Sequence, residues 1–292
     1  MFAQRREILF LYTVKDANPN GDPLNANHPR YDEETGQIMV SDVRVKRTIR
    51  DELISMGERV LIDGESNTLV SRYNTLKAEL GTTDGTSTLK GCIDARLFGA
   101  TFAVGKESFS WTGPVQFKWG RSLHRAKVEF VQGTAAFSTK EGSQQRSFRN
   151  EYIVPFALIA SSAICNQNAS TTTEASDQDL DKMTQALWQG TLNLITRSKM
   201  EHRPLLMVEI RYQSGYQSHI GNLDELVTLT ALDGSELSSE QQIQIRSPRQ
   251  VIIDLSKLQD KLQRIQTHID SVQIVADEAA QLKGVTEAIE RR

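Results

Sequence analysis

Two cysteines in 292 residues, Cys92 and Cys165, are too few and too far apart to build a disulfide framework or a cysteine-ligated zinc site. Both are expected to be buried free thiols. No run of about 18 apolar residues occurs, which excludes a membrane-spanning helix. The start MFAQRREILF has no long apolar region and no small-residue cleavage site, so no secretory signal is expected. A cytoplasmic protein with no membrane partner is the resulting expectation. Catalytic signatures are missing too. His28, His124, His202, His219 and His268 show no HExxH or other paired metal spacing, and neither Gly-x-Ser-x-Gly nor GxxxxGK[ST] occurs. No catalytic residue, metal or cofactor is expected, and no internal repeat stands out.

An excess of positive charge is also lacking, since the net charge is −3. That argues against a nucleic-acid binder held by overall electrostatics, but the average conceals an asymmetry. Residues 1–150 carry 21 Lys+Arg against 18 Asp+Glu, a net of +3, and residues 151–292 carry 13 against 19, a net of −6. A local basic face is what binds phosphate, so the hypothesis is weakened and not excluded.

What is present is enough apolar residue, 38%, for one elaborated domain or two. EILFLYTVK (7–15) reads as a buried first strand, ended by the turn DANPNGDP. SDVRVKRTIRDELISMG reads as a helix with Ser41 or Asp42 at its N-cap and Gly57 at its stop. Val45, Ile49, Leu53 and Met56 form its apolar stripe, and Arg44, Lys46, Arg47 and Arg50 spread over the other side. Residues 57–110, with the low-complexity stretch LGTTDGTSTLKG, read as a surface insertion. VQFKW, KVEFVQGTAAFS and EYIVPFALIASSAI are strands, the last two joined by the polar tip TKEGSQQRSFRN as a long hairpin or arm. A helix runs from Ser176 to about Arg197, LLMVEIRYQ and QVIIDL are strands, and Ser256 with Gln259 opens a last helix reaching Gly284. The order, βαββαβ with an insertion and an extension, is ferredoxin-like, the order of RNA-recognition-motif domains.

Three stretches could meet a ligand. The Asn20–Gly21 turn can present backbone N–H groups to an anion while Arg44, Lys46, Arg47 and Arg50 supply cations; a plain turn and a solvated face fit the same residues. KWGRSLHR offers Lys118, Arg121, Ser122 and His124 to phosphate, with its aromatics assigned to the core. The arm tip carries Lys140, Arg146, Phe148 and Arg149, and either grips a strand or a neighbour or is a loop. Acidic residues around Asp22 and Asp32 could hold Mg²⁺ or be solvated loop charge.

LFLYTVKDANPNGDPLNANHPRYDEETGQIMVSDVRVKRTIRDEL, LFGATF, WTGPVQFKWGRSLH, RNEYIVPFALIA and ALWQGTLNLITRSKM together resemble the backbone subunit of type I CRISPR effector (Cascade) complexes, the Cas seven family, and most of all its subtype I-B branch. The resemblance covers residues 7 to about 213. It implies an α+β fold, with an RRM-like palm (1–56 and 126–213), a fingers-type insertion and strand (57–125) and a thumb hairpin (132–150); the C-terminal extension (214–292), with its helix over 256–283, carries no motif of the family. The resemblance further implies a non-enzymatic subunit whose copies line up head to tail along crRNA as a helical filament. The partners implied are crRNA, other copies, other Cascade subunits and, through the guide, target DNA. Asn20, Gly21, Lys46, Arg47, Arg50, Arg121 and Ser122 would contact guide phosphates. Two other readings stand beside it: a metal-dependent ribonuclease of the type III kind using Asp22 or a neighbouring carboxylate, and a stand-alone RNA-binding protein.

Overall fold

The run EILFLYTV is apolar on both of its faces because the strand it forms is covered on both. In the computed structural model, which describes residues 1–66, 68–134 and 148–291, strand β1 (Arg6–Ala17) is buried almost throughout. A loop then leads through β2 (Tyr31–Asp32) and β3 (Gln37–Val40) into helix α1 (Asp42–Ser55). The insertion follows, with α2 (Leu69–Leu80), α3 (Gly85–Lys90), α4 (Ile93–Phe98) and the hairpin β4 (Gly99–Val104) and β5 (Glu107–Thr112). Next come β6 (Val115–Phe117), β7 (Gly120–Ser122), β8 (Glu129–Thr134) and the long β9 (Phe148–Cys165). Helices α5 (Gln167–Thr173) and α6 (Asp177–Leu192) precede β10 (Arg203–Tyr212). The last stretch holds β11 (Thr228–Thr230), α7 (Ser239–Gln244), β12 (Ile252–Asp254), α8 (Ser256–Arg264), β13 (Ile269–Ala276), β14 (Leu282–Lys283) and β15 (Ile289–Arg291).

The main sheet is ten-stranded in the order β15-β13-β10-β1-β9-β7-β3-β2, and β6 and β8 also pair with β9. β1 is antiparallel to both neighbours, with Phe10 opposite Met207 of β10 and Ser161 of β9. Alternation along β1 then feeds two cores. Phe10, Tyr12 and Val14 pack with Ile49 and Leu53 of α1 and Met183 and Leu187 of α6. Leu9 and Leu11 pack on the other face with Val208, Ile253, Leu258 and Leu262. The two helices lie close on the first face: a Cβ on Gly190 of α6 would stand 2.9 Å from the Thr48 carbonyl oxygen of α1. Only glycine permits that approach.

Charged residues fasten the ends of these layers. Arg6, 1% exposed, pairs with Asp177, with Asp181 at 3.1 Å and with Glu209 at 2.7 Å, tying β1 to α6 and β10. The Glu7 carboxylate, on the opposite face, accepts the Tyr212 hydroxyl and the backbone N–H groups of Ile220 and Gly221, each of the latter at 2.8 Å. Asp94 of α4 accepts Arg50 Nε at 2.7 Å, Leu61 N at 2.6 Å and Ile62 N at 3.2 Å, so one buried carboxylate joins the insertion to α1. Arg96 does the same for α6 through Asp179 at 2.6 Å. No helix among the described residues is long and apolar enough to cross a membrane.

Four sequence expectations need correction. The last helix does not run over 256–283: α8 ends at Arg264, and Ile269–Ala276 is β13, hydrogen-bonded to β10. Leu258 and Leu262 keep helical spacing because they lie in α8, whereas Ile269 and Val272 extend it by coincidence, and the β-branched run from Ile269 follows the open edge of β10 instead. Gln259 caps nothing; its side chain donates to Thr286 Oγ1 at 2.8 Å. Gly284, with φ +76°, serves a close approach to Ser256, where a Cβ would lie 2.4 Å from the Ser256 nitrogen. The insertion is more than surface, because Tyr73, Leu76, Leu89 and Phe102 form a core of their own and LGTTDGTSTLKG contributes α3. The strand VQFKW stops at Phe117, and the helix from Ser176 stops at Leu192, short of Arg197.

The Asp94–Arg50 pair yields a stability prediction. Asp94→Ala leaves a guanidinium buried without its partner and is expected to cost about 3–5 kcal/mol in urea unfolding. Removing both side chains should cost less than the sum of the two single substitutions. A single-variant effect within about 0.5 kcal/mol, the range of surface substitutions, would mean the pair does not join the layers.

Candidate nucleic-acid interface

At the end of the sheet where β1 finishes and β9 and β10 begin, three loops converge. The loop after β1 closes on itself, with Asp22 N donating to the His28 carbonyl at 2.7 Å and Arg30 N to the Asn20 carbonyl at 2.9 Å. Asn18 N donates to the Ser198 carbonyl at 2.8 Å, which joins this loop to the one between α6 and β10. Asn27 Nδ2 donates to the Asn150 carbonyl at 3.3 Å, which joins it to the root of the β8–β9 hairpin. Asn20 reaches the start of α1: its Oδ1 accepts Ser41 N at 2.8 Å and Ser41 Oγ at 2.9 Å. Ser41 is the N-cap of α1, but its hydroxyl serves Asn20 and not the helix. Gly21 is exposed beside it.

Arg44 stands in the first turn of α1 against this junction. Its Nη2 donates to Thr48 Oγ1 at 2.9 Å. Burial lowers its affinity for a proton, opposed in part by the charge of Asp51 further along the helix and aided slightly by Arg47. Lys199 lies near it, pushed down by burial first and by Arg44 second. Among the described residues neither Arg44 nor Lys199 meets a carboxylate at ion-pair distance. Two half-buried cations near one another, with Asp51 engaged by Arg47 at 2.6 Å, can receive an anion. His202 packs against Tyr12 with the rings tilted by 43° and their centroids 6.0 Å apart, and burial, then Arg44 and Lys199, depress its imidazole to about 3. Lys199 and His202 do not stand out in the sequence; the short basic stretch TRSKM after α6 points to Lys199, and nothing local points to His202.

The remaining expected site residues separate into groups. Arg47 is partly exposed on α1, pairs with Asp51 at 2.6 Å and donates to the Asp63 carbonyl at 3.3 Å. Lys46 and Arg50 are corrections to the notion of a solvated basic face. Each is 9% exposed, Lys46 between Asp42 and Gln116 at 3.3 Å each and Arg50 on Asp94, both over the Phe98 ring. Apolar contact along their stems outweighs solvation because α4 closes over that side of α1. Ser122 and His124 are also internal. Ser122 Oγ donates to the His124 carbonyl at 2.7 Å and accepts Ile38 N at 3.1 Å, and His124 Nε2 accepts Leu158 N at 3.2 Å. Both hold the sheet and its extension, since His124 Nδ1 lies 3.1 Å from the Gln242 carbonyl.

Lys118 turns to the extension, 3.1 Å from Asp224 and 3.3 Å from Glu225. Arg121 is exposed and pairs with Asp32 at 2.9 Å. Trp119 departs from the core assigned to it: it is 43% exposed, with the Arg30 guanidinium 5.3 Å from its ring. Phe117 is buried as expected. Lys140 and Arg146 lie outside the described residues. The backbones of Phe148 and Arg149 open β9, opposite Thr134 and Gly133 of β8. Asp22 is occupied by its own turn, accepting Leu24 N at 3.0 Å and Asn25 Nδ2 at 2.6 Å, which hold its carboxyl below the usual range. Among the described residues no group of three or more His, Cys, Asp or Glu is arranged to hold a metal ion. Cys92 and Cys165 are buried free thiols.

Residues 4–256 match the model of one protein family, described as CRISPR-associated protein Cas7. The chain belongs to the Cas7 family. A relative from Haloferax volcanii, described as CRISPR-associated protein Cas7, is 29% identical over 304 aligned residues, which cover 94% of this chain and 87% of the relative. The fold is similar to chains of two solved complexes. One is a CRISPR RNA-guided surveillance complex, pre-nicking, with TM-score 0.60 and 13% identity over 99% of this chain and 96% of that chain. The other is a CRISPR RNA-guided surveillance complex with TM-score 0.53 and 15% identity over 99% and 94%. The Cas7 family match takes in every loop of the junction and ends where α8 begins.

His202 gives this Cas7 chain a pH dependence. The unfolded imidazole takes a proton below about 6.5 and the folded one only near 3. Stability from this burial is therefore present above about pH 6.5 and declines as pH falls below it, by up to about 1.4 kcal/mol per pH unit. His124, lowered mainly by burial, adds in the same direction. Urea unfolding at about pH 7.5 and about pH 5 should show the decline, and His202→Gln should reduce it; an unchanged profile would show that His202 does not titrate with unfolding.

Proposed function

We propose that this chain is the crRNA-binding backbone subunit of a type I CRISPR surveillance complex, of the subtype I-B kind. It grips guide phosphates at the junction of the Asn20–Gly21 loop, the first turn of α1 and the Lys199–His202 segment. The observation that carries the reading is the pair Arg44 and Lys199, half-buried, near one another and without a carboxylate at ion-pair distance among the described residues. Arg47 and Arg121 reach the surface around it, each in an ion pair that a phosphate can replace. The grip is on the backbone, so it is independent of guide sequence.

The palm is RRM-like. Support comes from the antiparallel order β10-β1-β9 with β6 and β7 beyond, and from α1 and α6 packed together on one face. Residues 57–112 serve as fingers. The hairpin of β8 and β9 is the thumb of residues 132–150, whose root touches the junction through Asn27 and Asn150. Copies then follow one another along the guide, each thumb meeting its neighbour, and the guide is left presented to target DNA and to the other subunits. The subunit is not a nuclease in this reading, because Asp22, the carboxylate a ribonuclease would need, is fixed in its turn.

Two outcomes are expected. Arg44→Ala with Lys199→Ala should weaken binding of unrelated guide RNAs alike, read by filter binding across ionic strengths. The salt slope should fall by about 0.7 for each phosphate that the variant no longer neutralises. A defect limited to one guide sequence contradicts the phosphate grip. Incubation of the RNA-bound chain with Mg²⁺ or Mn²⁺ should leave guide and complementary RNA intact on a denaturing gel. Metal-dependent cleavage abolished by Asp22→Ala would instead favour the ribonuclease reading.

A further inference from the structure

On the face of the sheet away from α1 and α6, a cleft of about 600 Å³ opens between the ends of β1 and β10 and the turns at 246–249 and 277–279. Lys15 projects from β1, Arg203 from the start of β10, Arg197 from the loop before it, and Arg246 and Arg249 from the C-terminal extension. These cations come from segments far apart in the chain, yet they face one space. Lys15 and Arg249 are exposed and hold no side-chain hydrogen bond or ion pair among the described residues. Arg246 donates to the Ile243 and Ile245 carbonyls at 2.6 and 2.9 Å, which fix its position but leave its charge uncompensated. Arg203 reaches Asp277 only at 3.8 Å, and Arg197 pairs with Glu151 at 2.5 Å. Asp16 and Glu201 line the same cleft without an ion-pair partner among the described residues, so a surplus of cation over carboxylate remains.

We infer that this cleft binds the phosphodiester backbone of single-stranded nucleic acid as a site separate from the Arg44–Lys199 junction. Four of its five cations are arginines, whose planar guanidinium forks suit phosphate. Met200, 56% exposed, stands at its side and offers an apolar surface to a base. The segment 197–203 forms a wall of the cleft through Arg197 and Arg203 and a wall of the junction through Lys199 and His202, so the two sites are continuous around the end of the sheet. That continuity rests on the guide-binding reading; the charge of the cleft does not. An acidic protein segment would find the same cations, but it would gain nothing from the continuity.

The test uses the full chain free of RNA, with fluorescent oligouridylate and oligodeoxythymidylate as probes and polyglutamate as the competing polyanion. Lys15→Ala with Arg249→Ala removes two exposed, unpartnered side chains, so thermal melting should match the parent. Strand binding by this variant should weaken about tenfold at moderate salt, with a slope lower by about 1.4, two phosphates at about 0.7 each. Arg44→Ala with Lys199→Ala should retain binding that Lys15 and Arg249 control. If guide RNA bound beforehand excludes further probe, the occupant is the guide running on; if oligodeoxythymidylate binds beside it, the occupant is a second strand. Photo-cross-linking of iodouracil-bearing strands should label peptides containing Met200 or Arg246–Arg249. An unchanged affinity and slope in the cleft variant, labelling confined to α1, or an effect on polyglutamate alone would each overturn the inference. Undiminished guide binding in the Arg44 and Lys199 variant would overturn the junction reading and leave this one standing.

Discussion

The strand β1 is buried on both faces and hydrogen-bonded along both edges, and this constraint organises the rest of the chain. A strand in that position needs a partner layer on each side, because its alternate residues point at opposite faces. α1 and α6 supply one layer and the C-terminal extension supplies the other. Arg6 and Glu7, adjacent in sequence and each 1% exposed, point to opposite layers and are compensated separately, Arg6 by carboxylates and Glu7 by a hydroxyl and two backbone donors. An unpaired charge at either position would cost far more than the neighbouring apolar contacts return.

The same constraint locates the candidate interface. Once β1, β9 and β10 are in register, one end of the sheet must release its chain into loops. The loop after β1, the root of the β8–β9 hairpin and the segment before β10 all leave there, and hydrogen bonds from Asn18 and Asn27 join them. α1 begins at the same end, its first residue set by Asn20 on Ser41. The turn NPNGDP therefore has a mechanical role before any ligand is considered: it fixes the angle at which α1 starts, and so where Arg44 stands.

Much of this was legible in the sequence where a local rule and the tertiary environment agree. The first strand, the helix from Ser41, the helix start at Ser176 and the strand LLMVEIRYQ lie where period and punctuation put them. Boundaries failed where a long-range partner decided the outcome. Ile269–Ala276 has helical spacing and strand composition at once, and only the free edge of β10 selects the strand. At the candidate site, spacing showed that α1 is basic but not which of its cations the fold covers. Lys46 and Arg50 are covered by α4, an element from the insertion whose docking no local pattern reveals, and Ser122 and His124 face the interior for the same kind of reason. For Lys199 the only local signal is the short basic stretch TRSKM, because its neighbour in charge, Arg44, is distant in sequence.

The net charge of −3 was the feature least favourable to a phosphate-binding reading, and the structure explains why it carries little weight. Many carboxylates are committed to holding layers together: Asp94 to α1, Asp179 to α4, Glu209 to β1, and Asp224 and Glu225 to Lys118. Each neutralises a cation that is itself structural, so neither partner contributes to the field felt by a ligand. What a ligand meets is the remainder. Charge arranged in this way keeps much of the fold's electrostatic compensation internal and leaves cations without a carboxylate at ion-pair distance among the described residues, Arg44 and Lys199 above all, at the end of the sheet where the loops converge. Affinity for a polyanion then depends on where the unpaired charges stand and not on the sum over the chain.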